Sequence, residues 1–573
     1  MISFNELKRN LKKDFSGFKK VKVALLSDSA SQLLNNAIKA FGYEVQLDFD
    51  IYEADYNQVA LQVFDPTSEL YRFNPDFIFI NRCTEKLMKD FYKKDRAQRD
   101  VFSEEVAKTT QQYYDVITQR LRAKVIVNTY PEINDSLFGN FASKITSSFL
   151  YQQRKSNLAL MDLSQRVKDL FICDLAALQS ELGYRFVFDS KMYVNADMVY
   201  SLEFLPYIAK HLSDIILSIN GTFKKCLILD LDNTTWGGII GDDGMEGIQI
   251  GYLGSGKIFT ELQLWAKQLK HRGIILAVCS KNTEEIAKEP FLGHPDMVLR
   301  MDDIAVFVAN WETKVENIRY IQSVLNIGFD SMVFVDDNPF EREMVKAGIP
   351  EICVPDLPED PAEYLLFLRS LNLFETASFT EEDELRTKQY QEEAQRNILL
   401  RSFENENDFL ANLGMVSDVR KFDAFTIPRV AQLTQRSNQF NLRTVRYTEE
   451  DIKRISADPG YFTISLTLED RFGDHGLIGI IILKKEDDTS LFIDSWIMSC
   501  RVLKRGMEDF TLNTIVSLAA ANHFTKITAE YLPTKKNGIV KDHYKNLNFE
   551  PIGDLWVLDV AGFKDRDTFI SKK

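Results

Sequence analysis

The chain is poor in the features that mark secreted, membrane-bound or nucleic-acid-binding proteins. Only six of its 573 residues are cysteine. They are scattered, with no Cys-x-x-Cys and no histidine pair at metal spacing, so neither a disulfide framework nor structural zinc is indicated. No run reaches the roughly 18 apolar residues of a membrane span, and the opening Met-Ile-Ser-Phe-Asn-Glu-Leu-Lys has no signal-peptide core. Basic residues are outnumbered, 69 Lys and Arg against 84 Asp and Glu, a net charge of -15. That balance argues against a general nucleic-acid or anionic-membrane surface, though not against a local basic pocket. The expectation is a cytoplasmic enzyme with neither nucleic acid nor membrane as partner, its oligomeric state left open.

What is present describes a folded, multidomain protein. Hydrophobic residues make up 45% and charged residues 27%, the balance of a globular chain. At about 100 to 200 residues per domain the length holds several cores. The most informative stretch is Cys226-Leu-Ile-Leu-Asp230-Leu-Asp232-Asn-Thr234, an apolar run that stops at two aspartates one residue apart. In an open α/β sheet the carboxyl ends of the strands form the ligand crevice, so both carboxylates belong at its mouth. Carboxylates held that close repel unless a cation or proton lies between them, which points to Mg2+, a hard cation that prefers oxygen. A glycine-rich segment from Gly237 to Gly256 and an amphipathic helix over 258–272 follow. Two further buried strands end in Ser280-Lys281-Asn282 and in Asp336-Asp337-Asn338, and Lys314 opens a helix between them.

The order Asp230-x-Asp232-x-Thr234, Ser280, Lys314, Asp336-Asp337 resembles the haloacid dehalogenase (HAD) superfamily of phosphohydrolases. The wider text, with WGG, IGDDG, CSKN and FVDDNP, is similar to the FkbH-like proteins of its IIIC subfamily; NQFN (438–441), DRFGDHG (470–476) and MSCRVL (498–503) extend the match. Thr235 departs from it, standing where the family has leucine. The resemblance implies Asp230 as the nucleophile attacking phosphorus and Asp232 as the general acid and base. It implies that Thr234, Ser280, Lys281, Asn282 and Lys314 hold the phosphoryl group, with Lys314 offsetting its growing charge. Asp230, the Asp232 carbonyl, Asp336 and Asp337 would hold Mg2+, which of the last two touches it directly being open. The intervals from Asp230 to Ser280 and from Ser280 to Lys314 leave no room for a large cap over the site, so the substrate is expected to be bulky, carried by a protein or passed from another domain.

The flanking regions read as further α/β domains, giving 1–220, 221–375 and 405–573 joined by a helical connector at 376–404 that opens at Thr380. In the first, strands at 21–26, 77–80 and 124–127 surround a charge-rich helical stretch. Ser27-Asp28-Ser29 and Asn128 after two of these strands faintly resemble the flavodoxin-like SGNH hydrolases. Without the glycine of their Gly-Asp-Ser block or a partnering Asp-x-x-His, a scaffold or docking role is expected. The last mixes strands at 461–468, 477–483 and 491–498 with a helix over 507–522. Its Arg501-Val-Leu-Lys504-Arg505-Gly506 resembles the pyrophosphate loop of GNAT acyltransferases, which implies a site for phosphopantetheine or coenzyme A at Arg501, Lys504, Arg505 and Gly506. Cys500, among cationic neighbours, is the candidate acyl-accepting thiol, with Asp470, Asp474 and His475 as candidates to orient or deprotonate it and Cys279 as the rival thiol. Asn438, Gln439 and Asn441 are candidates to hold a polar acyl group. The resemblance as a whole implies phosphatase chemistry coupled to moving a glyceryl-type acyl group from a phosphorylated three-carbon acid to an acyl carrier protein. N-acylation in a glycan or secondary-metabolite pathway, or a docking scaffold with only the HAD site active, are the alternatives.

Overall fold

Every apolar run singled out in the sequence is a strand, ending where polar residues begin. The computed structural model describes all residues except Met1, Lys168, 381–386, 393–395, 397–402, 404, 500, 501, 504 and 535. By Cα proximity the chain divides into two units, Met1–Leu217 and Ser218–Lys573.

The first unit is built on β1 (Lys19–Ser27), β2 (Leu47–Glu53), β3 (Phe77–Asn81), β4 (Lys124–Asn128) and β5 (Leu170–Cys173). All pair in parallel, in the order β2-β1-β3-β4-β5, the flavodoxin-like doubly wound arrangement. β3 is buried along its whole length, whereas β2 at the sheet edge alternates buried and open positions. Neither β2 nor β5 is among the expected strands, although β2 carries the alternation Leu-Asp-Phe-Asp-Ile and the short β5 carries little pattern. Helices α1 (Gln32–Glu44), α2 (Thr84–Tyr92) and α3 (Phe102–Arg120) follow β1 and β3, and a short helix α4 (Ser190–Ala196) comes late in the unit.

The second unit holds two sheets. In the first of them β6 (Cys226–Leu229), β7 (Ile275–Ser280), β8 (Ile304–Ala309) and β9 (Met332–Val335) are parallel in the order β8-β7-β6-β9. β8 is a strand that the polar strand-end markers did not reveal. Because the chain runs outward from β6 to β8 and then returns to β9, the sheet reverses between β6 and β9, and the crevice opens there. Helices α5 (Gly256–His271), α6 (Lys314–Leu325) and α7 (Pro339–Gly348) cover it. Only a short kinked helix, Ile240–Gly247, and α5 lie between β6 and β7, so the expected absence of a large cap holds.

Among the described residues the other sheet has nine strands: β10 (Val416–Ser417), β11 (Val419–Arg420), β12 (Tyr461–Asp470), β13 (Gly473–Lys485), β14 (Ser490–Met498), β15 (Lys526–Ala529), β16 (Glu550–Ile552), β17 (Leu555–Asp559) and β18 (Ser571–Lys572). β12, β13 and β14 form an antiparallel meander, then helix α8 (Met507–Ala521) crosses to β15, which pairs with β14 in parallel. This is the GNAT-like α+β layout. The connector expected over 376–404 lies largely outside the described residues; 387–392 within it are helical. Among the described residues, no helix is long and apolar enough to cross a membrane.

Candidate active site

Asp230 follows directly on β6, and its backbone N–H donates to the Val335 carbonyl (3.0 Å) at the end of β9. That bond joins the two strand ends across which the sheet reverses. Asp230, Asp336 and Asp337 each offer a carboxylate oxygen, all within 4.8 Å of one another. Asp230 and Asp336 are buried, Asp337 partly so. Lys314 Nζ lies 3.0 Å from Asp230 Oδ1 and also bonds Asp336 Oδ2. Its Cα is fixed at the first turn of α6, after Thr313, whose hydroxyl caps the helix by accepting from Glu316 N (3.2 Å).

One ammonium thus faces three carboxylates. Burial pushes the Asp230 carboxyl up, Lys314 pulls it back, and Asp336 pushes it up again. Asp337 is raised by burial and by Asp336. Lys314 is 4% exposed, and although burial works against its charge, Asp230 and Asp336 raise it well above the ordinary lysine value. The backbone around the carboxylates is braced: Arg342 Nη1 donates to the carbonyls of Asp336 (2.9 Å) and Asp337 (2.7 Å), and Asn338 caps α7. Neither role was apparent in the sequence, since an arginine three residues past a helix start reads as surface.

Asp232 stands apart from the trio. Its Oδ1 accepts from Trp236 Nε1 (2.9 Å) and Ile240 N (3.1 Å), and its Oδ2 from Asn282 Nδ2 (2.8 Å). Asn282, expected on phosphate, therefore orients Asp232 here, and Trp236 is a partner the motif reading missed. Ser280, 1% exposed, ends β7 with its hydroxyl 3.5 Å from Asn282 Nδ2. Two other expected phosphate ligands are spent elsewhere. The Thr234 hydroxyl accepts from Asp337 N (2.9 Å), and Lys281 Nζ pairs with Glu341 (2.6 Å) because α7 brings that carboxylate beside it. Thr235, the departure from the family pattern, donates to the Asp230 carbonyl (2.6 Å). Cys279 faces the opposite side of β7 from Ser280, and burial pushes its thiol up, which disfavours it as a nucleophile.

In the second sheet, Cys500, Arg501 and Lys504 lie outside the described residues. Gly506 sits at the start of α8 with φ 77°, a conformation that favours glycine. Arg505 is not presented to a ligand as expected. It is 6% exposed and turns inward, 3.3 Å from Asp470 Oδ2 and 3.0 Å from His475 Nε2, because a buried carboxylate draws it there. Asp470 is also gripped by Arg396 through both oxygens (2.7 and 2.8 Å). Burial pushes Asp470 up, but the bonds from His475 and Arg396 outweigh it and hold the carboxyl well below the usual range. His475 is lowered to about 4, by burial first. Asp474 caps Gly476 N (2.7 Å). Asn441 braces its own loop by accepting from Thr444 N (2.8 Å), while Asn438 Nδ2 donates to the Gly221 carbonyl (3.0 Å), 217 positions away.

In the first unit, Ser29 N donates to Ser27 Oγ (3.2 Å), and Asn128 clamps the backbone of Arg82 (2.8 and 2.9 Å). The one histidine of this unit, His211, has Lys210 and Asp174 as its charged neighbours. No serine–histidine pair forms among the described residues.

Comparison with known proteins places this geometry. The model of the FkbH N-terminal domain matches residues 22–217. The crystal structure of the N-terminal part of the protein BF1531 from Bacteroides fragilis, containing a phosphatase domain complexed with Mg, is 52% identical, covers 66% of this chain and 100% of that one, and superposes with a TM-score of 0.64. Two acetyltransferases match far more weakly. The ribosomal-protein-S18-alanine N-acetyltransferase from Escherichia coli is 12% identical over 26% of this chain and 97% of its own, TM-score 0.21. Spermidine N-acetyltransferase from Vibrio cholerae is 13% identical over 26% and 96%, TM-score 0.20. Neither carries a functional argument. No curated protein matches the chain. The chain belongs to the FkbH-like family, proteins built around a phosphohydrolase domain of the HAD superfamily.

Proposed function

We propose that the chain is a Mg2+-dependent phosphatase that works through an aspartyl-phosphate on Asp230, and that this step is coupled to acyl transfer by the C-terminal domain. The observation that carries the reading is the carboxylate trio with Lys314 at the point where the sheet reverses. The donor set fits the metal: three hard oxygen donors in reach of one another, carrying more negative charge than one lysine offsets. Asp230, Asp336 and Asp337 would hold it with the Asp232 carbonyl, and when bound it supplies positive charge against the phosphoryl oxygens.

The rest is work for side chains. Asp230 Oδ attacks phosphorus and the bond to the leaving oxygen breaks, that oxygen taking a proton from Asp232. Water then attacks the phosphorus of the phospho-aspartate, Asp232 accepts its proton, and phosphate leaves. Asn282, Trp236 and the Ile240 amide keep the Asp232 carboxylate oriented between these transfers. Ser280 and Lys314 bind the phosphoryl oxygens, and Lys314 offsets charge growing on them.

The proposed acyl group is a glyceryl type, taken from a phosphorylated three-carbon acid and delivered to the thiol of an acyl carrier protein through phosphopantetheine, in the cytoplasm. Supporting a protein-borne substrate, exposed apolar side chains stand in the segments that follow β6, β8 and β9: Tyr252 and Leu253 just before α5, Trp311 just after β8 and Phe340 in the first turn of α7. Supporting the coupling, the two sheets are joined within one unit, through Lys225 Nζ on the Arg436 carbonyl (2.9 Å). In this reading the domains are those of 221–375 and 405–573. The test is phosphate release with Mg2+ from a panel of phosphoacids, with and without a phosphopantetheinylated carrier, in wild type and Asp230→Asn. Release that needs Asp230 and acylates the carrier is the expected result. Release with every carrier left unacylated overturns the coupling, and release surviving Asp230→Asn overturns the phosphatase site.

A further inference from the structure

The first unit has its own crevice, where its sheet reverses between β1 and β3. Ser27 ends β1, Asn81 ends β3, and Asn81 Nδ2 donates to Ser27 Oγ (3.0 Å). The other side of this amide is unused. Asn81 Oδ1 and Tyr200 OH are both buried without a hydrogen-bond partner, in residues 1% and 6% exposed, and the two residues line the same small cavity. Its other walls are apolar, from Leu33 and Leu34 on α1 and Met192 and Met198 on the segment above, and the space left holds about one water molecule. Two unpaired polar atoms in residues that share one largely aliphatic cavity are unusual, because buried polar groups are nearly always paired.

The segment above covers the cavity as a flap. Residues 187–201 are pinned at their base by Ser201 N on the Val187 carbonyl (2.9 Å) and by a bridge between Phe188 and Tyr200, with α4 at the tip. It is held down through Asp197. The Asp197 carbonyl accepts from Ala30 N (3.1 Å), its Oδ2 accepts from the Tyr56 hydroxyl, and Lys86 Nζ lies 3.8 Å from the same oxygen. Lys86 also lies over the Tyr56 ring, 3.9 Å from its centroid. A hydroxyl and an ammonium so fixed make a seat for a carboxylate, and the flap's own Asp197 fills it.

We propose that this crevice binds a short aliphatic carboxylate bearing a hydroxyl at its far end, and that the flap closes it by placing Asp197 where the ligand's carboxylate goes. The ligand's carboxylate takes the place of Asp197 between Tyr56 and Lys86, and its chain lies against the leucines and methionines. Its hydroxyl donates to Asn81 Oδ1 and accepts from Tyr200 OH, the two unmet needs of the cavity. A plain alkyl acid answers neither of them. The site is independent of the chemistry proposed at Asp230.

The test uses the full-length protein, titrated calorimetrically with butyrate, γ-hydroxybutyrate and ε-hydroxycaproate, with hydrogen exchange followed in residues 187–201. A hydroxy acid is expected to bind better than butyrate and to alter exchange in the flap. Asp197→Asn removes the competing charge and should tighten binding about tenfold, since the closed state lowers apparent affinity. Tyr200→Phe keeps the ring, leaves the fold intact by its melting curve, and should erase the preference for the hydroxyl. No binding to wild type or to Asp197→Asn by any of the three acids overturns the proposal. So does Asp197→Asn binding no more tightly than wild type, or an unchanged hydroxyl preference in Tyr200→Phe.

Discussion

Replacing Lys314 with methionine isolates what a single buried ammonium does among three carboxylates. Methionine keeps most of the side-chain length and removes the charge. Lys314 Nζ is 3.0 Å from Asp230 and bonds Asp336, so the change takes the trio from a formal charge of -2 to -3 in a site where two of the three carboxylates are buried. At an effective dielectric near 20, each unit pair about 4 Å apart is worth about 4 kcal/mol. Breaking a buried pair in this way destabilises by about 3–5 kcal/mol. At about 2 °C per kcal/mol for a large unit, the melting temperature in EDTA should fall by roughly 6–10 °C. Mg2+ should restore more stability to the variant than it adds to wild type, because the carboxylates have lost their competing cation. Turnover should move the opposite way, falling about 100- to 1,000-fold with the loss of a preorganised donor to the phosphoryl oxygens. The assays are melting curves across a Mg2+ titration and phosphate release at saturating Mg2+. Weaker apparent Mg2+ binding in Lys314→Met, or wild-type turnover, would refute the reasoning.

Asn282→Ala should lower turnover about tenfold while leaving apparent Mg2+ affinity unchanged, since Asn282 touches Asp232 and not the trio; a fall in Mg2+ affinity would contradict that placement. Asp470→Asn should cost about 3–5 kcal/mol in urea melts, because Arg396 and Arg505 are left buried beside a neutral amide. Burial alone lowers His543 to about 3, against about 6.5 unfolded, so the unfolded chain binds its proton first. The folded state is therefore neutral and unpenalised above pH 6.5, and loses stability as pH falls from there toward 3. At about 1.4 kcal/mol per pH unit this amounts to roughly 2 kcal/mol between pH 6.5 and 5. His543→Phe, against the rings of Trp496 and Phe440, should remove that share of the acid slope in denaturant midpoints.

The central site was legible because its chemistry is local to strand ends. An apolar run of four followed by Asp-x-Asp announces both the strand and the crevice, and β6 and β9 begin and end at the residues the pattern gives. What escaped the sequence is contact over distance. Lys281 reads as a phosphate ligand until α7 sets Glu341 beside it, 60 positions later, and Arg505 reads as part of an anion loop until Asp470 claims it from another strand. Nothing in a single sequence marks which buried carboxylate a given cation will meet. β2, β5 and β8 were missed for a different reason: β2 and β5 carry short or interrupted apolar runs, and β8 follows two aspartates and ends in alanine with no polar marker.

The two parallel sheets show how little of a site the fold itself determines. Each reverses beside the first of its strands, and each therefore opens a crevice at its carboxyl edge. After β6 and β9 come carboxylates with too few cations to balance them, an arrangement that is stable only with a proton or a metal in place. β1 and β3 end in a serine and an asparagine that bond each other, the Asp28 and Arg82 that follow them lie 3.9 Å apart, and the small half-apolar cavity beside them has one amide oxygen and one phenol to satisfy. The first arrangement suits phosphoryl chemistry, which needs charge at the reacting atoms. In the second, Asp28 and Arg82 offset each other and no serine–histidine pair forms among the described residues, an arrangement that suits holding a ligand. The same reversal of strand order thus leads to different chemistry through the residues that stand at the strand ends.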